Sequence, residues 1–472
     1  MWSDAAVSGL RQRAISSLRD QPSIATVLVC VCLAVLAVGV PIPLVLVLLV
    51  VMVAATAWRP AAAVSAVPMT LPFGPLTLQI GPAAFSVIEV ALLTTASGVM
   101  VYGLRQAVRR GSLQGGCREA RRLLQEAQFV PLAVAILAVG TVSLGTIADP
   151  THLRESLRFW RWIVVEPVVF YGMALWFLRS EQDAGRLVRV WVGAAAAAAA
   201  LCLVQWSVGG GLTVEGVRRL TGFYPHPNAA ALTLERPALA ALSLALASGG
   251  RHHRWWWLAA AVTGVATVLT FSRGALLALL LGLFALLWLL RRYRVAVSLL
   301  VGSLFSLILG FAAFPDRLSA GILAGGDSLR LAIWRSSVAM LADRPLTGVG
   351  IDQFLYQYVP RYVEPVAWPE RFTSHPHNVV LEVWLHFGLT GLVVLGSAGW
   401  LVVRAVRRSR HWPLGVAAGI SLLGGFVHGW VDRTFFAPEL ALAFWLAAVI
   451  LELPRTARSA AVDTRRTPCE CW

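Results

Sequence analysis

Apolar runs of about 18 residues or more recur along the chain, and this decides what it can fold into. Each run is long enough to cross a bilayer as a helix, whose backbone polar groups then satisfy one another. Charged residues make up only 14% of the 472, against about 25% in an ordinary soluble domain. The alternating segments of a transmembrane barrel are absent. The expected fold is all-α: a polytopic membrane bundle of about 12–14 spans.

Residues 24–57 are long enough for two spans turning at Pro41 and Pro43, and 60–73 reads as a broken helix or a surface piece. A Pro/Gly loop separates it from a span near 85–104. Later spans are expected near 129–147, 160–178, 187–206, 228–248, 255–271, 274–290, 295–313, 378–402, 413–430 and 437–453. Short arginine-bearing links after alternate spans set the cytoplasmic side by the positive-inside rule. The chain then divides into a cytoplasmic segment 1–23, a bundle 24–313, an outer loop 314–377, C-terminal spans 378–453 and a cytoplasmic tail 454–472. The first twenty or so residues are too polar for a cleaved signal peptide, so the first apolar run should be retained. Within the outer loop, Leu329, Ile333, Trp334, Val338 and Leu341 share one side of a helix expected over 327–343, lying on the outer surface.

The net charge is +16 and the chain has no lysine, so every full positive charge on a side chain is an arginine. Guanidinium forks grip phosphate in a bidentate way and keep their charge when partly buried. The positive-inside rule predicts few arginines outside, yet Arg154, Arg158, Arg161, Arg218, Arg219, Arg273, Arg330, Arg335 and Arg433 all fall there. Most have no carboxylate nearby in sequence. They imply an anionic partner: lipid head groups, or a phosphorylated lipid substrate on which separate loops converge. Arg273 is the sharpest case, held in a two-residue turn between spans, where Ser272 can cap the following helix. None of the six cysteines falls in an outer segment, so no disulfide framework is expected.

Two outer segments end alike. One closes on His226-Pro-Asn228 and the other on His375-Pro-His377-Asn378, each running into a span. Asparagine is a good helix N-cap, and a helix N-terminus favours anions. A histidine at such a mouth can be general base to a sugar hydroxyl, or simply an interfacial residue bonded to a carbonyl. His-x-His also suits zinc, but no third and fourth ligands are evident, so no metal is expected. No Asp-x-Asp motif is present to hold a divalent ion on a diphosphate. Within spans lie Glu89, Glu166, Glu235, Arg236 and Glu382, and a Glu166–Arg236 pair is the expected way to offset burial.

Thr-Phe-Ser-Arg-Gly-Ala (270–275), Arg330 to Trp334 leading to Pro-Leu-Thr-Gly-Val-Gly (345–350), and His-Asn-x-x-Leu-Glu (377–382) before Gly-Leu-Thr-Gly (388–391) occur in that order. Together with Pro227-Asn228 they resemble the O-antigen ligase and polysaccharide polymerase family of bacterial inner-membrane glycosyltransferases, over roughly 220–395. The resemblance implies a GT-C-like bundle in the cytoplasmic membrane, working on lipopolysaccharide or exopolysaccharide. It implies no cofactor and no metal. The donor would be an undecaprenyl-diphosphate-linked glycan, passed with inversion to a lipid, glycan or protein hydroxyl at the outer face; nucleic acid is not an expected partner. By position, Arg158 or Arg161, Arg273, and Arg330 or Arg335 would hold the diphosphate, and His377 would be the base, supported by His375, Asn378, His226, Asn228 and Glu382. His386 stands where a glutamate is expected before Gly388. The competing reading is a secondary transporter or flippase of an anionic substrate; the arginines fit it, but such proteins show internal repeats that this chain lacks.

Overall fold

The structure is a computed structural model. It describes residues 42–463 except 81–82, 111–120, 215, 248–251 and 314–325, together with scattered positions over 26–35. The N-terminal segment and the tail from 464 lie outside the described residues, as do Cys117, Cys469 and Cys471. Cys32 and Cys202 are buried free thiols.

Helices dominate. In order they are α1 (Ile42–Trp58), α2 (Pro60–Ala66), α3 (Val87–Arg110), α4 (Val130–Leu144), α5 (Leu153–Trp160), α6 (Glu166–Phe177), α7 (Glu181–Ser207), α8 (Pro227–Ala247), α9 (His252–Leu269), α10 (Arg273–Leu289) and α11 (Tyr293–Ala313). After the long loop come α12 (Gly326–Asp343), α13 (Phe354–Gln357), α14 (Val379–Ser409), α15 (Pro413–Gly429) and α16 (Pro438–Asp463). Four of them, α3, α7, α8 and α14, are long and apolar enough to cross a membrane by length and composition. Several shorter apolar helices of 10–17 residues accompany them.

Helix bounds follow the apolar runs closely, because a run with few polar residues leaves its backbone no partner but itself. The 60–73 region is a broken helix, α2 followed by a 3-10 turn Val67–Phe73 that carries Pro68 and Pro72. Among the described residues, two β-hairpins depart from the helical pattern. Thr77–Ile80 and Ala83–Ser86 form the antiparallel hairpin β1–β2, and Leu212–Val214 and Val217–Arg219 form β3–β4. A π-helical turn, Arg161–Val165, joins α5 to α6.

α8 is the central post, packed on α9 and α15, while α15 also carries α10. The largest core gathers Phe170, Leu187, Leu244, Trp256, Leu414 and Leu446 from helices far apart in sequence. A separate core under the long loop joins Ile333 and Met340 of α12 to Phe354, Tyr358 and Leu385. The loop is thus a packed cap on one end of the bundle, and α12 lies on the first half of α14.

That contact explains two glycine-rich motifs together. α14 breaks at Gly388, whose φ of 64° and ψ of −161° lie outside the helical region. A Cβ there would overlap the Leu346 carbonyl, so the loop backbone can approach only a glycine. The groups freed by the break are re-paired: Leu389 N donates to Leu346 O at 3.1 Å and Val349 N to Leu385 O at 2.8 Å. Ser143 Oγ donates to His386 O at 2.5 Å. Residues 345–350 and 388–391 are therefore two sides of one joint.

Candidate functional site

At the loop-capped end, Asn378 starts α14 as its sequence position suggests. Its Oδ1 accepts from Val380 N at 3.0 Å and Leu381 N at 3.1 Å. Its Nδ2 donates to Trp430 O at 3.1 Å, which ties the helix mouth to the turn after α15. His377, just before the cap, has a φ of 53°, a costly region for a non-glycine residue. Neighbours hold the approach in place, among them Trp334 Nε1, which donates to Pro376 O at 2.9 Å.

The residue that organises this corner is Asp432, in the short turn between α15 and α16. His377 Nδ1 lies 3.2 Å and His375 Nε2 3.4 Å from its Oδ1. Arg433 N donates to the same oxygen at 2.8 Å. Asn228 Nδ2 donates to Oδ2 at 2.8 Å. Burial would raise the Asp432 carboxyl, but the hydrogen bonds from His375 and His377 hold it well below the usual carboxylate range. Burial, then His377 and Arg433, pushes His375 down to about 3 despite the carboxylate. The two histidine–asparagine entries therefore meet on one aspartate that the sequence reading passed over. Asp432 is a single acid in a very short turn, and its only signal was that Arg433 follows it.

Several expectations change. Asn228 is not the cap of α8, which begins at Pro227. It bridges Asp432 to Arg219, whose Nη2 donates to Asn228 Oδ1 at 2.9 Å. Arg219 Nε also donates to Thr270 O at 2.6 Å, linking hairpin β3–β4 to the turn that carries Arg273. His226 accepts from Asn228 N at 3.1 Å through Nδ1. Ser272 precedes α10 without capping it, and its hydroxyl lies 3.4 Å from His428 Nε2. The Glu166–Arg236 pair does not form. Arg161 takes Glu166 at 3.0 Å and Glu89 as well, while Arg236 Nη2 donates to Thr434 O at 2.7 Å.

The arginines sort by what they already hold. Arg161 bridges two carboxylates, and Arg335 pairs with Glu364 at 2.5 Å, so neither side chain is a spare cation. Arg433 Nε donates to Glu382 Oε1 at 3.0 Å, which gives the buried Glu382 its partner. Carboxylates absent from the local sequence thus arrive from elsewhere in the fold. Arg158 is exposed, with its guanidinium over the Trp162 ring, and Arg273 is exposed at the head of α10. Arg330 lies one turn before Trp334 on α12. His386 is buried between Phe159 and Phe436, away from the His377–Asp432 corner.

The corner sets two histidines against one carboxylate, with Arg433 and, through Asn228, Arg219 beside it, and so brings together three groups with metal-ligand chemistry. His375, His377 and Asp432 each present one donor atom, all within 4.8 Å of one another. The third ligand missing from the sequence reading is thus supplied from 55 residues downstream. A cavity of about 790 Å³ opens between α4, α10, α14, α15 and α16. Val383, Phe387, Phe426, Phe436, Phe444 and Trp445 line it, so it is apolar almost throughout.

No curated protein matches the chain. The O-antigen ligase family model matches residues 258–396, which run from α9 through the long loop and past the Gly388 break. That segment carries Arg273, Arg330, Arg335, His375, His377, Asn378 and Glu382, while Asn228, Asp432 and Arg433 lie outside it. With apolar helices along the described residues, the protein is a multi-pass membrane protein, and over residues 258–396 it is similar to the O-antigen ligase family, a match that supports membrane glycan transfer in general.

Proposed function

We propose that the protein moves a glycan from an undecaprenyl-diphosphate carrier to an acceptor hydroxyl at the outer face of the cytoplasmic membrane, as an O-antigen ligase or a polysaccharide polymerase. The observation that carries this reading is the His377–Asp432 pair, at 3.2 Å, in a bundle that also holds an apolar cavity of about 790 Å³. An activated diphosphate needs charge stabilisation as it leaves, and guanidinium groups supply it without a metal.

In this reading Asp432 accepts a hydrogen bond from the Nδ1–H of His377, which fixes that tautomer and leaves Nε2 as the base. Thr373 Oγ1, 3.3 Å from Nε2, marks where a hydroxyl can sit. The acceptor oxygen attacks the anomeric carbon, and its proton passes to Nε2. The new glycosidic bond forms as the bond from that carbon to the diphosphate oxygen breaks, so the configuration inverts. Undecaprenyl diphosphate leaves as an anion, held by Arg273, Arg158 and Arg330. Each of these is linked to the pair only through other residues. Arg273 follows the Thr270 turn gripped by Arg219. Arg158 shares the field of Asp352 with Arg433. Arg330 precedes Trp334, which holds Pro376. Arg161 and Arg335 act by bracing carboxylates rather than by holding substrate.

The test is transfer by detergent-purified protein from an undecaprenyl-diphosphate glycan, with EDTA present. Transfer is expected to continue in EDTA and to be lost in His377→Ala and Arg273→Ala. Transfer that requires Mg²⁺, or that survives in both variants, would overturn the mechanism.

A further inference from the structure

We propose that His375, His377 and Asp432 form a Zn²⁺ site, and that zinc bound there switches the transfer chemistry off. The binding half stands on geometry alone; the inhibitory half rests on His377 as the base.

Zinc takes imidazole nitrogen at about 2.0–2.1 Å and carboxylate oxygen at about 2.0–2.2 Å, usually in a tetrahedron. The edges of such a tetrahedron are about 3.3–3.5 Å long. The two measured edges, from Asp432 Oδ1 to His377 Nδ1 and to His375 Nε2, are 3.2 and 3.4 Å. Two edges thus match a tetrahedral site before any ion arrives, and the third, between the two imidazole nitrogens, is within 4.8 Å and closes with a small rotation of the rings. The histidine side chains are 16% and 20% exposed, which gives an ion a way in and a water the fourth position.

The surroundings match those of metal ligands. A ligating histidine normally donates its other ring N–H, and a ligating carboxylate is normally hydrogen-bonded in turn. His375 Nδ1 has Ser374 Oγ at 3.3 Å, and His377 Nε2 has Thr373 Oγ1 at 3.3 Å. Asp432 Oδ2 accepts from Asn228. With the ring protons on those outer nitrogens, two lone pairs and a carboxylate oxygen face one another, an arrangement that calls for a cation between them. Arg433, next to Asp432 in the chain, is paired with Glu382, which weakens its opposition to a dication.

The two functions exclude each other through one tautomer. As a base, His377 keeps its proton on Nδ1, toward Asp432, and its lone pair on Nε2. Zinc takes the Nδ1 lone pair, so the ring proton must sit on Nε2, and no lone pair remains for the acceptor proton. One imidazole then serves either as base or as ligand.

The test uses the full-length protein, stripped with chelator and titrated with Co²⁺ as a spectroscopic stand-in. The expected result is one equivalent of tetrahedral Co²⁺, displaced by Zn²⁺, with the visible bands lost in His375→Ala. Asn228→Ala, which keeps all three ligands, should bind zinc about 10–100-fold more weakly. Thermal melting of each metal-free variant establishes that it is folded. No tetrahedral Co²⁺ in the wild type, or undiminished binding by folded His375→Ala, would overturn the site. For the inhibitory half, Zn²⁺ should stop wild-type transfer, chelator should restore it, and whatever transfer remains in His375→Ala should no longer respond to zinc. Bound zinc that leaves wild-type transfer intact would overturn the switch and also count against His377 as the base. If no transfer is seen under any condition, the Co²⁺ titration still decides the site, so the two readings fail separately.

Discussion

Two histidine–carboxylate pairs sit within a few residues of each other, and only one is open. His428, at the end of α15, lies with Nδ1 2.7 Å from Glu235 Oε2, and the two side chains are 1% and 0% exposed. Asp432, just past that helix, meets His377 at 3.2 Å, and the His377 side chain is 20% exposed. The chemistry of the two pairs is the same; access separates them. The sealed pair reaches Ser272 through His428 Nε2 and so holds the turn that presents Arg273. Gly274 makes room for it, since a Cβ there would run into the His428 ring. The open pair ends in an imidazole that is partly exposed and whose Nε2 faces the Thr373 hydroxyl. One pair fixes a cation in place, and the other can exchange a proton.

The comparison breaks most visibly at the open pair. Replacing a general base typically costs about 10²–10⁴-fold in rate. His377→Ala should lose transfer by a factor in that range and melt near the wild-type temperature. A glycan-transfer assay beside a melting curve checks both. If melting falls as far as it does in a His428 variant, the distinction drawn from access fails.

Next is the sealed pair, which should show the reverse. Removing one partner of a buried hydrogen-bonded pair costs about 1–3 kcal/mol, because the other polar group is left unsatisfied. Glu235→Ala should therefore lower stability by about that amount in denaturant titration of the detergent-solubilised protein, with lost transfer following lost folding. A Glu235→Ala protein that melts normally but has lost transfer would mean that this pair acts in the chemistry.

A smaller effect comes from Asp352, between the loop core and the open site. Burial raises its carboxyl from 3.8 to about 6, against the pull of Arg433 and Arg158 and with a push from Glu155. Its folded value is above its unfolded one, so the fold takes up a proton there. The contribution to stability is therefore full below about pH 4 and lost as pH rises through about 6. Two pKa units set a ceiling of about 3 kcal/mol on that change. Asp352→Asn should remove this part of the pH dependence of melting between about pH 4 and 7. An unchanged melting profile would mean that the carboxylate is already charged in the fold.

The helices were readable because an apolar run in lipid has little choice but to close its own hydrogen bonds. The run at 181–207 and the capping asparagine at 378 carry their structure locally. The hairpins were not readable: strands of three or four residues beside Pro and Gly have no room for a period to show. At the site, His377, Asn378 and Asn228 announced themselves by standing at helix mouths beside prolines. Asp432 could not, because its importance lies wholly in which distant residues reach it. For the same reason Arg161 looked like a free cation, since its partner Glu89 lies 72 residues away and the sequence matched Glu166 to Arg236.

Arg335 is where the two ways of reading disagree most sharply, and there the predicted effect is smallest. Its place on the loop helix makes it a diphosphate ligand by resemblance, whereas its side chain is exposed and pairs with Glu364 at 2.5 Å. The Glu364 carboxyl is correspondingly held below its usual value, by the hydrogen bond from Arg335 first. Exposed pairs of this kind add little to stability. A guanidinium already engaged by a carboxylate must also give it up before it can take a phosphate. Arg335→Ala should thus leave melting at the wild-type level and reduce transfer far less than Arg273→Ala. Measured side by side, equal losses would show that the arginine leaves Glu364 when the donor binds, and the clamp would then include the loop helix.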